Sequence, residues 1–127
     1  MQSLIGVWKL VEARAFDEKG AKLPPPLGPN PMGLVLIEAE RMIVAVGDGR
    51  PTMPSEAVPR AFLSYAGSYV FDGEKLVTRV DGASNPDGFT DQVRRIVFQA
   101  PNRMLVVPLS RVLGRNSGLE LTWERVG

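Results

Sequence analysis

The sequence predicts an all-β fold, an antiparallel up-and-down barrel of about eight or more strands with one short helix. Residues 65–81 read as a hairpin, because β-forming side chains flank Asp72-Gly73, a pair that suits the positive φ of a tight turn. A second hairpin spans residues 92–109, with its turn at residues 100–103, and two apolar runs precede the first hairpin. Closing such a meander removes the exposed edges of an open sheet.

The composition limits the chemistry. A chain of 127 residues is long enough for one domain with one core, so we predict a single domain over residues 1–127. Fifteen basic residues nearly balance fourteen acidic ones, which indicates no nucleic-acid or membrane partner. The sequence has no cysteine and no histidine, so thiolate sites, the commonest general base and the usual zinc ligand are all excluded. We predict neither a metal nor a cofactor.

Localisation is predicted from what the sequence lacks. No apolar run approaches the roughly 20 residues that span a bilayer. Residues 1–5 lack the basic start and the long apolar stretch of a secretion signal. The absence of cysteine fits a reducing compartment. These observations predict a soluble, cytoplasmic protein.

The first strand is predicted over residues 6–16. Alternation places one set of side chains on the same face: Trp8, Leu10, Glu12, Arg14 and Phe16. Two interpretations follow for the charged pair. The strand suits a barrel whose interior is packed at one end and polar at the other. Alternatively, Glu12 and Arg14 face water at the end of the strand.

Five prolines within residues 23–31 exclude a helix or an inner strand there. We predict a rigid surface loop across the barrel mouth; a polyproline ligand for a partner's groove is the alternative. Residues 33–46 form another predicted hairpin, turning at Ala39-Glu40. Both of its strands are apolar on both faces, so the protein itself or a partner must cover the outer face. A homodimer through this face is one hypothesis.

The one helix is predicted after a flexible loop at residues 47–51. Ser55 is a plausible N-cap for a helix that runs to Phe62 or Tyr65. Pro59 falls too deep for an ideal helix, so we expect a short or distorted one that plugs or flanks the barrel. Residues 82–88 are rich in turn formers and predict a loop at the barrel rim.

Three more strands complete the predicted sheet. Residues 90–99 pair with residues 104–109, a loop covers residues 111–117, and the last strand spans residues 119–126. In the last strand one face carries Leu119, Leu121 and Trp123, which indicates an inward apolar face. Alternation in the first of these strands allows only one of Arg94 and Arg95 to point into the barrel.

Six segments, in order along the chain, together resemble the bacterial and fungal lipocalin-like domain family, whose fold is a calycin barrel. They are Gly6-Val7-Trp8-Lys9-Leu10-Val11, Pro31-Met32-Gly33-Leu34, Tyr65-Ala66-Gly67-Ser68-Tyr69, Asn85-Pro86, Gln92-Val93-Arg94-Arg95 and Leu121-Thr122-Trp123-Glu124-Arg125. Gly-x-Trp alone is a weak signal. The resemblance implies an antiparallel barrel with a pocket and, for most members, no established activity.

The resemblance also implies structural roles. In calycins a basic side chain of the closing strand often lies over the first-strand tryptophan, so Arg125 is expected over Trp8. We expect Gly6 and Trp123 to be structural as well. Where family members carry a histidine in the second strand of the central hairpin, this chain has Thr78. A function that rests on that imidazole is in doubt here.

The candidate ligand site consists of polar and aromatic residues from several strands: Glu12, Arg14, Tyr65, Tyr69, Arg79, Asn85, Gln92 and Arg94. An inward Arg94 would bind a carboxylate through its planar guanidinium, and the tyrosines would add an apolar wall with a polar tip. Such a site suits a small amphipathic acid. Alternatively, Arg94 pairs with Glu12 or Asp81, since a buried charge requires a partner.

The leading hypothesis from the sequence is a binding protein for a small apolar or amphipathic molecule. The alternative is an isomerase or cyclase, in which Glu12 or Asp81 with Tyr69 transfers a proton inside the barrel. No spacing in the sequence demands this chemistry, so we assign no catalytic residue. A dimeric interaction protein without a ligand is the third hypothesis.

Overall fold

A computed structural model describes residues 2–127, so Met1 lies outside the described residues. Eight antiparallel strands form one closed barrel in chain order, with the last strand paired to the first. They are β1 (Gly6–Ala15), β2 (Pro31–Ile37), β3 (Arg41–Asp48), β4 (Phe62–Phe71), β5 (Lys75–Ala83), β6 (Gln92–Ala100), β7 (Arg103–Pro108) and β8 (Leu119–Arg125). The predicted up-and-down barrel is confirmed.

Short turns join the strands at one end of the barrel, which we call the closed end. They lie between β2 and β3, β4 and β5, and β6 and β7. In the turn at Asp72-Gly73, Gly73 has φ of 100° and the Asp72 carboxylate accepts hydrogen bonds from the N–H groups of Glu74 and Lys75 at 2.9 and 2.7 Å. These two bonds hold the pKa of Asp72 below its usual value. The sequence identified this turn correctly.

Four longer connections lie at the opposite, open end: residues 16–30, 49–61, 84–91 and 109–118. The helix predicted from Ser55 is wrong, because residues 49–61 form turns and bends. Three prolines in that segment remove backbone donors. Arg60 instead donates to the carbonyls of Asp48 and Arg50, at 2.6 and 2.5 Å. Within residues 2–127 the helical structure is a single 3₁₀ turn, Pro86–Phe89.

The proline-rich loop predicted over residues 23–31 does lie at the open end, and β2 begins at its last proline. Its middle is anchored, because Leu27 is 0% exposed and belongs to the core. Gly28 follows with φ of 75°, and a Cβ at that position would collide with the Asp48 carboxylate. The loop is therefore attached to the barrel through both a buried leucine and a close backbone contact.

A bulge in β1 corrects the predicted face of that strand. Pairing with β8 shifts register between Leu10 and Glu12, so Trp8 and Leu10 are buried before the bulge and Ala13 and Ala15 after it. The interpretation that places Glu12 and Arg14 on the inward face with Trp8 is wrong for this reason, and the alternative, in which both face outwards near the end of the strand, is confirmed. They point outwards, where Arg14 contacts Glu12 at 3.1 Å and Glu120 at 2.6 Å.

Aromatic side chains fill the closed end. Trp8 is fully buried, its indole N–H donates to the Leu4 carbonyl at 2.9 Å, and its ring centroid lies 6.4 Å from that of Phe98. Phe71 contacts Phe98 edge-on at the same centroid distance. Three inward residues of β8 are buried as predicted: Leu119, Leu121 and Trp123.

No helix in residues 2–127 has the length and apolarity to cross a membrane.

The hairpin of β2 and β3 is apolar on both faces, as predicted. Its outer face exposes four large apolar side chains to between 40 and 47%: Met32, Leu34, Leu36 and Ile43. They lie together because Leu36 pairs with Ile43 across the hairpin and Leu34 pairs with Ala45. A homodimer through this face stays a prediction.

Candidate functional site

An apolar cavity of about 60 Å³, which we call the inner cavity, lies within the barrel. Its volume is several times the ~10–15 Å³ that a single water molecule requires. Aliphatic side chains from β2 to β8 form most of its wall, among them Val35, Val44, Ile96 and Val106. One charged side chain, Arg94, lines it as well.

The direction of Arg94 follows from alternation along β6. Gln92, Arg94 and Ile96 are buried on the inner face, and Arg95 is exposed on the outer one. The Arg94 guanidinium donates through Nη1 to the Val93 carbonyl and to Ser110 Oγ, both at 3.0 Å. It also donates through Nη2 to Gln92 Oε1 at 3.0 Å. Arg94 is therefore the inward arginine of the pair, and it is 6% exposed.

Arg94 has no acidic partner among residues 2–127, where every ion pair within 4.0 Å involves another arginine. The alternative that it pairs with Glu12 or Asp81 is wrong. Glu12 contacts Arg14, and Asp81 pairs with Arg41 on the outer surface. A buried charge that has polar contacts but no countercharge is costly, and an anionic ligand would relieve that cost.

The open-end loops position Arg94 through Gln92. The Gln92 amide donates to the carbonyls of Asp87 and Thr90 at 3.1 and 3.0 Å, which turns its Oε1 towards Arg94. Asp87 belongs to the 3₁₀ turn and Thr90 follows it. Gln92 is 1% exposed. The guanidinium is thus held on two sides, by Gln92 and by Ser110.

The structure brings some of the sequence-predicted site residues together and separates the others. Tyr65 is buried, lines the inner cavity, and has its ring centroid 5.7 Å from Arg94 Cζ. Tyr69 packs at the closed end, where its hydroxyl donates to the Glu38 carbonyl at 2.5 Å and partial burial raises its pKa. Asn85 lies in an open-end loop.

Three further predicted site residues do not line the inner cavity. They are the surface residues Glu12, Arg14 and Arg79. The predicted site residues that line the inner cavity are therefore Tyr65 and Arg94, and Gln92 supports them as a hydrogen-bond partner of Arg94. Among the described residues, no group of three or more carboxylates is arranged to hold a metal ion.

A second pocket, of about 270 Å³, opens at the same end, and we call it the outer pocket. Its wall includes Arg60, Phe62, Asn85 and Asp87. Two residues line both this pocket and the inner cavity: Leu63 of β4 and Leu113 of the β7–β8 connection. Neither Leu113 nor Ser110 was predicted from the sequence; the signal near them is the loop predicted over residues 111–117.

An ion pair closes one side of the open end. Arg50 donates through Nε and Nη2 to the Asp48 carboxylate, at 3.0 and 2.6 Å. These side-chain bonds, together with the Arg50 backbone N–H, hold the pKa of Asp48 below its usual value. The pair fixes the last residue of β3 against the loop that follows it.

A family model described as a lipocalin-like domain matches residues 5–126, almost the whole chain. This chain belongs to the lipocalin-like domain family. A search of curated proteins finds no match. A lipocalin-like barrel with an interior cavity is consistent with ligand binding.

In this lipocalin-like domain the expected structural pair is present. Arg125 Cζ lies 4.3 Å from the centroid of the Trp8 ring. The same guanidinium donates to the carbonyls of Ser3, Ile5 and Pro101, and to Asn102 Oδ1. It therefore ties the segment before β1 to the β6–β7 turn.

Two other positions of the lipocalin-like domain bear on the resemblance. Gly6 has φ of 141°, and a Cβ there would lie 2.8 Å from the Gly127 carbonyl oxygen, so the first motif residue must stay small. Thr78 is fully buried, and its hydroxyl contacts Met42 Sδ at 3.0 Å. It does not line the inner cavity.

Proposed function

We propose that this lipocalin-like domain binds a small amphipathic carboxylic acid in the inner cavity, with the carboxylate on Arg94. The observation that carries the proposal is a buried arginine that lines an apolar cavity and has no carboxylate beside it among residues 2–127. Arg94 differs in this respect from the arginines that form ion pairs with carboxylates, such as Arg14, Arg50 and Arg103.

The guanidinium has donors left for a ligand. Arginine carries five N–H groups. The protein accepts three hydrogen bonds from them, at Val93, Ser110 and Gln92, which leaves two. Two N–H groups of a planar guanidinium match the two oxygens of a carboxylate, and such charge-assisted bonds contribute about 1.5–3 kcal/mol each. The aliphatic wall then covers the apolar part of the acid, at roughly 25 cal/mol for each Å² buried.

The isomerase or cyclase alternative gains no support from the geometry. Its proposed acids, Glu12 and Asp81, lie on the outer surface in ion pairs with Arg14 and Arg41. The Tyr69 hydroxyl donates to a backbone carbonyl at the closed end. These groups do not meet in the inner cavity.

The test compares hexanoate with hexan-1-ol, which have the same chain length, by isothermal titration calorimetry. The alcohol lacks the carboxylate and so forms one or two fewer charge-assisted hydrogen bonds with Arg94. We therefore expect the wild-type protein to bind hexanoate at least about tenfold more tightly than the alcohol. Arg94→Met removes the charge and keeps an unbranched side chain, so it should abolish this preference. Arg95→Met is the matched control, because it removes the neighbouring arginine from the outer face.

Two results would overturn the proposal. One is a wild-type protein that binds the acid no better than the alcohol. The other is an Arg94→Met variant that keeps the preference for the acid, since another group would then recognise the carboxylate.

A further inference from the structure

A two-residue turn at the open end has an unusual backbone. Val112 and Arg115 exchange backbone hydrogen bonds of 3.0 Å across Leu113 and Gly114, whose φ angles are 53° and 74°. Positive φ at both central residues favours sequences such as Asn-Gly. Within residues 2–127, Leu113 is the one non-glycine residue with positive φ. Leucine is rare in this conformation because its Cβ crowds the backbone.

The side chain of Leu113 explains why the strain is retained. It packs against the core and lines both the inner cavity and the outer pocket, next to the buried Val112. Leu63, the other residue that lines both spaces, projects from β4 and is buried. Together they form the partition between the two spaces. A backbone outlier held in place by a side chain at a ligand cavity is an observation from which function can be inferred.

The partition lies close to the proposed carboxylate position. Ser110, three residues before Leu113, accepts a hydrogen bond from Arg94. At the opposite end of the barrel, Trp8, Phe71 and Phe98 fill the interior. A chain too long for the inner cavity therefore has no room beyond the aromatic side chains. It must therefore turn back towards the open end, where it passes Leu113 and enters the larger outer pocket.

We infer that Leu113 determines the length of the ligand. This inference rests on the proposed function, in which Arg94 binds the carboxylate of an amphipathic acid. Short-chain acids fit in the inner cavity while Leu113 stays packed against the core. Longer ones displace it and extend into the outer pocket, whose wall combines Phe62 and Pro26 with the polar Arg60 and Asn85. Displacing this half-buried leucine weakens the binding of the longer acids.

The test measures the affinities of hexanoate and dodecanoate by calorimetry in the wild-type protein and in Leu113→Gly and Leu113→Asn. Glycine and asparagine both adopt a positive φ readily, so both variants should keep the turn. Two variants are used so that the test does not depend on one of them folding. The wild-type protein should bind hexanoate about tenfold more tightly than dodecanoate, given the apolar area of a leucine side chain. Both variants should reduce this ratio to about one. Asn116→Ala, in the same connection but outside both cavity walls, should leave it unchanged.

The outcomes separate the two proposals. Hexanoate binding that depends on Arg94, with the same chain-length ratio in all variants, overturns the role of Leu113 and leaves the binding function standing. A wild-type protein without any preference for hexanoate over hexan-1-ol overturns both.

Discussion

The two ends of the barrel use arginine in different ways. At the closed end Arg125 stacks on Trp8 and donates to three backbone carbonyls and an asparagine side chain. Near the open end Arg94 is held by Gln92 and Ser110, lines an apolar cavity and has no countercharge among residues 2–127. The first arginine fastens chain segments to one another. In the proposed function the second keeps donors for a ligand, so stability and recognition would lie in different parts of one sheet.

The largest effect that tests this comparison is expected at Trp8. Trp8→Ala should lower the free energy of unfolding by about 3–5 kcal/mol, because a fully buried indole leaves a cavity at the closed end. Urea denaturation followed by circular dichroism measures the change. Trp8→Phe keeps a ring and should cost less. A loss under about 1 kcal/mol for Trp8→Ala would show that the closed end does not dominate stability.

The two arginines themselves give a smaller and sharper contrast. Arg125→Met should cost about 2 kcal/mol of unfolding free energy, since it removes a cation–π contact and several hydrogen bonds. Arg94→Met should change that free energy by less than about 1 kcal/mol, because an apolar side chain suits the cavity as well as an unpaired charge does. Equal losses in the two variants, measured under the same denaturation conditions, would contradict the comparison.

The smallest effect concerns pH at the open end. Hydrogen bonds from Arg50 lower the pKa of Asp48 in the folded protein below its ordinary value of 3.8. The unfolded chain therefore binds the proton more readily, and the stability that Asp48 contributes is present above pH 3.8 and is lost as the pH falls through the folded-state pKa.

Asp48→Asn should therefore flatten the acid side of the stability profile, measured by urea titrations at a series of pH values. Some acid dependence should persist, because the pKa of Asp72 is lowered at the closed end too. A variant profile parallel to that of the wild type would show that Asp48 contributes nothing to it.

The sequence predicted the hairpins well because their turns have a local signal. Asp72-Gly73 and residues 100–103 combine turn formers with flanking β-formers, and the structure places turns at both. The predicted helix from Ser55 failed because a capping signal competed with three prolines. The β1 bulge could not be predicted from the local sequence, because it arises in the pairing of β1 with β8, which is distant along the chain.

The candidate site was predictable only in part. Alternation along β6 allowed only one of Arg94 and Arg95 to be internal. Which one it is depends on whether the face with Gln92 and Ile96 points into the barrel. Arg79, Glu12 and Arg14 looked equally suitable and lie on the outer surface. Leu113 could not be identified, because its φ of 53° and its place between two cavities arise from the closed barrel.

The pairing of β1 with β8 has a consequence for how the chain acquires its structure. The hydrogen bond from Arg125 to the Ser3 carbonyl joins residues 122 positions apart. During synthesis β1 emerges first, and one of its edges stays without a neighbour until the last strand has left the ribosome. Because such distant contacts are slow to form, we expect the nascent chain to expose a β edge from the emergence of β1 until β8 pairs with it, and to depend on chaperones in that interval.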